Sequence, residues 1–480
     1  RGDRFAECEP RGRTIGPAAD AEGAPFVEQA LQVCLGAARK GSKRIAVEID
    51  LTGGQEKFRA KTGERIGLVQ RGGGTHRSQR RTKRSGRKRE SYLLAGPAAG
   101  GTIGGVNSPL WDDRAWSPLP RLEGTVRADV CVVGLGGSGL AALAELAALG
   151  VSAVGLDARS VGAGAAGRNG GFVLAGLAKF FHETVEKFGR ETAAALYRQT
   201  ADEIQRQARE LPGIIRLTGS LRLAADAAER ADCEKHFAAL RESGFAVERH
   251  AGPEGGGLLL PTDGVMQPLL RVRTLAGKLG EGGARLHENS PVRKMVPGSV
   301  VTDAGAVWCD TVIVAVDGRL EKVFPELSPR VRTARLQMLA TAPAPEVEFT
   351  RPCYWRHGYE YWQQQPDHTI ALGGFRDHAR ETEWTTETEP TEFIQGLLEK
   401  FLRGHLKVKA PVTHRWAASV GYTTDGLPVL EQVREKVWAV GGYCGTGNIV
   451  GALSARAAAR LACGQASEWA ELLATARARL

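Results

Sequence analysis

From residue 128 onward the apolar positions fall in short unbroken runs separated by glycine-marked turns. Ala128–Gly134 is one such run, ending in glycine, the pattern of a strand buried on both faces. Leu140–Leu149, rich in Ala and Leu, reads as a helix, and Val151–Asp157 as the next buried strand. Together they make a strand–turn–helix–strand unit of about 30 residues. Downstream, Glu183–Leu211 has the composition of one long helix and Ser220–Ala224 that of a short strand. Asp226–Ser243 and Gln267–Gly280 predict helices, and Val292–Met295 and Thr311–Val316 strands. Between 330 and 375 aromatic residues recur in alternation, which predicts antiparallel strands. Thr391–Leu402 predicts a helix, Val437–Val440 a strand and Val450–Cys463 a closing helix. The interleaving of strands and helices predicts an α/β fold.

The first 105 residues are different. They show little sustained periodicity beyond a candidate helix–strand unit around Phe26–Leu51. A basic run, Arg71–Arg89, is followed by a Gly/Ala-rich stretch, Leu94–Gly105. Residues 1–105 carry 21 Lys and Arg against 11 Asp and Glu, which accounts for the whole net charge of +10. The remaining 375 residues are balanced, so the charge says nothing about a partner of the main body. The run is able to contact phosphates non-specifically. The plainer reading is a poorly ordered extension, because no aromatic residue interleaves the charges. Ser108-Pro-Leu-Trp111 and Ser117-Pro-Leu-Pro120 then read as an extended arm leading into the fold.

The eight cysteines form no CxxC pair and no disulfide framework, which fits reduced thiols in a cytoplasmic protein. The histidines lack metal-ligand spacing, so no metal is expected. No apolar stretch is long enough to span a bilayer.

The turn after the first strand is Gly134-Leu-Gly136-Gly137-Ser138-Gly139. A GxGxxG between strand and helix is a dinucleotide fingerprint: Gly134 for the turn, Gly136 for phosphate approach and Gly139 for helix–strand packing. The helix start offers unpaired N–H groups to a pyrophosphate. Asp157, ending the second strand, is placed to accept hydrogen bonds from a ribose. The fingerprint alone does not choose between NAD and FAD. The next segment, Arg159-Ser-Val-Gly-Ala-Gly164-Ala165-Ala166-Gly-Arg168-Asn169-Gly170-Gly171-Phe172, favours FAD, because such a loop can pass beneath a large flat ring.

That segment is similar to the Gly-Ala-Ser-Gly-Arg-Asn-Gly-Gly signature of the D-amino-acid-oxidase-like FAD oxidoreductases, with Ala166 in place of the usual Ser. Further stretches resemble the same family in the same order: Asp263-Gly-Val-Met-Gln-Pro-Leu-Leu, Arg335-Leu-Gln-Met-Leu, Gly421-Tyr-Thr-Thr-Asp-Gly-Leu-Pro428 and Gly441-Gly-Tyr-Cys-Gly-Thr-Gly-Asn448. The resemblance covers roughly residues 108–465. It implies a Rossmann-type FAD-binding domain and a second, antiparallel-sheet substrate domain. It assigns 106–215, 262–334 and 410–465 to the first, 216–261 and 335–409 to the second, and 466–480 to a tail. It implies non-covalent FAD held by the fingerprint, Asp157, Ala158 and Arg159, the 164–171 loop, Val292, Ala315, and Gly442, Gly445, Thr446, Gly447 and Asn448. Thr446 or Asn448 is available to cap the closing helix, whose start is expected to face the ring.

The resemblance also implies oxidation of a CH–NH bond of an amine or amino acid to an imine, with O2 or another acceptor taking the electrons. A polyanion-binding protein acting through its basic arm is the rival reading. Nucleic acid is not the expected partner. Amino-acid oxidases of the family pair the substrate carboxylate with Arg at places that here hold Val420 and Gly445. Arg335, Arg356 and Arg376 remain as anchors, and Tyr359, Tyr361, Trp362 and Tyr422 as walls of the pocket, each with plain packing as the alternative. No Cys lies near Val420 to attach a flavin, and Cys353 and Cys444 read as packed thiols.

Overall fold

The computed structural model describes residues 45–50, 57–62, 68–69, 107–112 and 116–480. The chain divides into two compact units, 1–98 and 99–480. In the first, Ile45–Asp50 pairs antiparallel with Lys57–Thr62 and parallel with Leu68–Val69. The helix expected before Leu51, the basic run 71–89 and the stretch 94–105 lie outside the described residues.

The second unit is built on a six-stranded sheet. Val130–Val133 lies between Ala153–Leu156 and Thr311–Val314, parallel to both, with Val132 opposite Gly155 and Ile313. Arg285–His287 extends the parallel set on one side and Val437–Gly441 on the other, and Val429–Arg434 closes that edge antiparallel. The central strands are short and almost wholly buried, as covering of both faces requires. Gly137–Ala148 packs against the closing helix Val450–Ala462. Their close approach depends on small residues, since a Cβ on Gly451 would lie 2.7 Å from Ser138 Oγ. Two glycine clusters 300 residues apart in sequence are thereby brought side by side.

An eight-stranded sheet forms the second layer, ordered 248–252, 255–260, 220–223, 353–355, 360–364, 369–374, 331–343, 412–423. Its pairings are antiparallel except that Cys353–Trp355 runs parallel to Ser220–Leu223. Helix Glu392–Gly404 covers one face through Ile394, Leu398, Phe401 and Leu402, over a separate core that holds Trp362 and Leu372.

Several expectations shift. Glu183–Leu211 is two helices, Phe181–Phe188 and Arg190–Glu210, broken at Gly189, whose φ of 76° and ψ of 153° end the first. The strand expected at Val292–Met295 is Lys294–Val296, which leaves Val292 just before it. Val412–Thr423 is hydrogen-bonded along its length to Val331–Pro343 in the eight-stranded sheet, although the sequence grouped it with 410–465. The tail 466–480 contains a packed helix, Glu468–Arg477, because Trp469 and Leu473 bury and Trp469 Nε1 donates to Ser454 Oγ at 3.0 Å.

Candidate active site

The fingerprint turn sits at the carboxyl edge of the parallel sheet, where ligands of such sheets bind. Gly134 takes φ = 105°, and a Cβ there would lie 2.6 Å from the Ala315 carbonyl oxygen. A Cβ on Gly139 would lie 1.8 Å from Gly134 O, so the helix can begin only if this residue is glycine. Ala315 is held in turn by its N–H, which donates to Val133 O at 2.8 Å. Asp157 accepts from Leu135 N and from Arg159 N, each at 2.8 Å, which binds the second strand's end to the fingerprint. Burial pushes its carboxyl up, and these two N–H groups oppose the shift. Gly136 and Ala158 belong to these same turns, and Gly137 and Ser138 open the helix. Val292, half-buried, packs against the core cluster that holds Leu156 and Val314.

A cavity of about 1010 Å³ opens between two glycine loops and the eight-stranded sheet. Of the predicted cofactor positions, Ala165, Arg168, Asn169, Gly170, Gly445, Thr446 and Asn448 line it. Gly164, Ala166, Gly171, Gly442 and Gly447 belong to the same two loops without lining the cavity.

The loops are fastened to each other and to the arm. Asn448 Nδ2 donates to Asn169 Oδ1 at 3.1 Å and to Phe172 O at 2.8 Å. Asn169 Nδ2 donates to Ala165 O and Ala166 O, each at 3.0 Å. Arg168 Nε donates to Ala417 O at 2.8 Å and its Nη2 to Asn107 O at 2.8 Å. Trp111 Nε1 donates to Asn169 O at 2.9 Å and Trp416 Nε1 to Arg168 O at 2.7 Å. Neither Thr446 nor Asn448 caps the closing helix. The N-cap is Ile449 without a side-chain bond, Thr446 Oγ1 donates to Tyr443 O at 2.7 Å, and Asn448 is committed across to the other loop. Gly445 has φ = 92°, and a Cβ there would meet nothing nearer than Tyr422 Oη at 4.0 Å.

On the opposite side, Tyr361 packs edge-on against Phe172 at 5.7 Å, and Phe172 lies 4.7 Å from Tyr354. Tyr359, Tyr361, Tyr422 and Arg376 line the cavity. Burial holds the Tyr361 and Tyr354 hydroxyls far above their ordinary range and pushes Tyr422 up to about 12. These phenols therefore stay protonated at neutral pH.

Arg376 lies over the Tyr422 ring at 4.7 Å, and its Nη1 has no partner. Arg222, which the sequence did not single out, lines the cavity with its guanidinium 4.6 Å over Phe180 and its Nε unpartnered. Its place on the short strand Ser220–Leu223 carried no motif that would have marked it.

Three other predicted residues are occupied elsewhere. Arg335 is buried and bidentate to Glu383, at 3.0 and 2.8 Å. Arg356 is paired with Glu360 and Asp377. Trp362 is wholly buried in the core beneath helix Glu392–Gly404. None of the three lines the cavity. Cys353 and Cys444 are unpaired thiols raised by burial.

These residues suit a bound dinucleotide with a flat ring. The fingerprint admits backbone approach, Asp157 stands at the next strand's end, and the open side of Gly445 faces the cavity. Solved structures share the fold. Glycine oxidase from Geobacillus kaustophilus superposes with a TM-score of 0.60 at 20% identity, covering 71% of this chain and 96% of that one. L-amino acid deaminase from Proteus vulgaris gives 0.59 at 17%, covering 73% and 94%. In sequence, the chain is 25% identical over 384 residues to gamma-glutamylputrescine oxidoreductase of Escherichia coli (strain K12), 74% of this chain and 88% of that protein. It is 26% identical over 385 residues to a probable oxidoreductase, OrdL, of Rhizobium meliloti (strain 1021), 73% of this chain and 86% of that protein. Residues 129–461 match the model of the DAO family, FAD dependent oxidoreductase, and the chain belongs to that family of flavin enzymes.

Proposed function

We propose that the chain oxidises a CH–NH bond of an amine or amino acid to the imine, with O2 as the acceptor and H2O2 as the second product. The observation that carries this reading is the cavity itself: two glycine loops on one side, and on the other protonated phenols and two arginines that each keep one guanidinium nitrogen without a partner. The names of similar proteins, glycine oxidase and gamma-glutamylputrescine oxidoreductase, support an amine substrate. FAD, when bound, supplies the two-electron acceptor.

In this proposal Asp157 receives the ribose hydroxyls, the N–H groups of Gly136, Gly137 and Ser138 receive the pyrophosphate, and Ala158, Arg159, Val292 and Ala315 border the adenosine. The 164–171 loop and Gly442–Asn448 hold the ring, with 106–215, 262–334 and 410–465 as the cofactor half except for Val412–Thr423, which joins the substrate sheet. Strands from 216–261 and 335–409 supply the substrate half. Tyr359, Tyr361 and Tyr422 keep water away from the reacting carbon and orient the amine by their O–H groups. Arg376, beside Tyr422, pairs with a substrate carboxylate, and its unpartnered Nη1 is the donor for it. Arg335 and Trp362 act only by holding the sheet. The reaction balances with O2: the amine loses two electrons and two protons, and O2 gains both to give H2O2. The six unpaired cysteines of the described residues support a reducing, cytoplasmic setting.

The test is anaerobic. Under a panel of amines and amino acids, bound flavin absorbance is expected to bleach with at least one compound. Admitting O2 is expected to restore the colour and release H2O2. Reoxidation only by an added dye would make the enzyme a dehydrogenase. Absence of bleaching with every amine would overturn the substrate class.

A further inference from the structure

Helix Pro268–Glu281 carries Arg271 in its first turn, and the side chain is only 2% exposed. Its Nε donates to Gln207 Oε1 at 3.0 Å and its Nη2 to Asn448 O at 3.3 Å, whereas Nη1 has no partner. Among the described residues no carboxylate forms an ion pair with it. Glu203 and Glu210 favour its charge from nearby but are themselves engaged by Arg456. Burial lowers the Arg271 guanidinium only to about 10, so it remains charged at neutral pH. A buried guanidinium with an unpartnered N–H and no carboxylate in ion-pair contact is costly, which points to a partner that arrives from outside the chain.

The position of Nη1 names that partner. A Cβ on Gly137 would lie 2.7 Å from it. Gly137 is not one of the three glycines the fingerprint requires, so the turn does not explain it. It opens helix Gly137–Ala148, whose first N–H groups are unpaired and attract an anion. The guanidinium therefore bridges the start of that helix and the carbonyl of Asn448, the two places between which a dinucleotide must run.

We infer that Arg271 is the buried counter-charge for the diphosphate of the cofactor, admitted behind the helix start by the missing Cβ of Gly137. The inference rests on the FAD reading of the fingerprint and assigns Arg271 a positioning role, not a catalytic one.

ADP and adenosine separate the diphosphate from the rest of the cofactor and need no turnover. On the cofactor-stripped full chain, Arg271→Leu is expected to weaken ADP binding about 10- to 100-fold by calorimetry, the size of a lost charge-assisted contact. Adenosine binding should change less than about twofold, and Arg271→Lys should recover part of the ADP affinity. Gly137→Ala, which favours the helix yet displaces Nη1, should weaken ADP in the parent and add little to Arg271→Leu. If Arg271→Leu does not fold, Gly137→Ala with ADP and adenosine decides alone. ADP affinity unchanged in these variants, or equal losses for ADP and adenosine, would overturn the inference. A parent chain that binds neither ADP nor FAD would instead overturn the cofactor reading beneath it.

Discussion

The two walls of the cavity are made in different ways. The cofactor side is backbone: Gly134 and Gly139 let main chain approach main chain in the fingerprint turn, Gly445 opens onto the cavity, and the loops are fixed by short hydrogen bonds such as Asn448 to Phe172 O. The opposite wall is side chain: Tyr361, Tyr422, Arg222 and Arg376 come from separate strands and the turns after them, and meet only when the eight-stranded sheet is assembled. A wall of glycines holds what every member of the family binds. On the proposed reading a wall of side chains, exchangeable residue by residue, would set substrate choice.

The sharpest way to break this contrast is Gly139→Ala. Its methyl would lie 1.8 Å from Gly134 O, a clash with backbone that no rotamer relieves. The expected cost is about 3 kcal/mol or more, seen as loss of folded, flavin-binding protein on thermal melting.

At the seam between the walls stands Asp317, which accepts from Gly421 N at 3.3 Å and Tyr443 N at 3.2 Å. Burial pushes its carboxyl up to about 6, against the pull of these N–H groups. An unfolded Asp titrates near 3.9, so between about pH 4 and 6 the folded state holds the extra proton. Stability from this group is therefore greatest at low pH and falls as pH rises through about 6, by on the order of 3 kcal/mol. Melting temperatures from pH 4.5 to 8 should fall more steeply in the parent than in Asp317→Asn. Parallel curves would remove Asp317 from the seam's pH response.

Asp157→Ala is expected to weaken FAD roughly ten- to a hundredfold in a fluorescence titration, while the saturated variant is reduced at nearly the parental rate. Slowed reduction at full occupancy would mean the two walls are not separable. The smallest effect is expected for deletion of residues 1–98: FAD affinity and the reduction rate should not change. A salt-dependent nucleic-acid shift lost on that deletion would revive the rival reading of the basic arm.

The asymmetry also explains what could be read without coordinates. Gly134–Gly139, Asp157 and the 164–171 loop were legible because backbone approach to a ligand demands glycine at fixed spacing, and spacing survives in one dimension. Val130–Val133 and its parallel neighbours were legible because burial on both faces leaves no polar position. Arg222 was not, because one arginine in a four-residue strand has no local signal, and its meaning depends on which strand lies beside it. Arg335 and Trp362 misled for the same reason: motif and aromatic alternation mark a strand, but not which of its faces meets the cavity. The exchange between Asn448 and Asn169 escaped because a residue before a helix is read as a cap until its partner, 279 positions away, is seen.

The most direct measurement is therefore an FAD titration and an anaerobic reduction on one protein, Arg222→Met/Arg376→Met. With the cofactor wall untouched, FAD affinity should stay within about twofold of the parent. Reduction by the best substrate of the panel should fall by about tenfold or more at low substrate concentration, the loss expected when a charged anchor is removed. FAD affinity lost together with reduction, or both retained, would contradict the division of the site into a cofactor wall of backbone and a substrate wall of side chains.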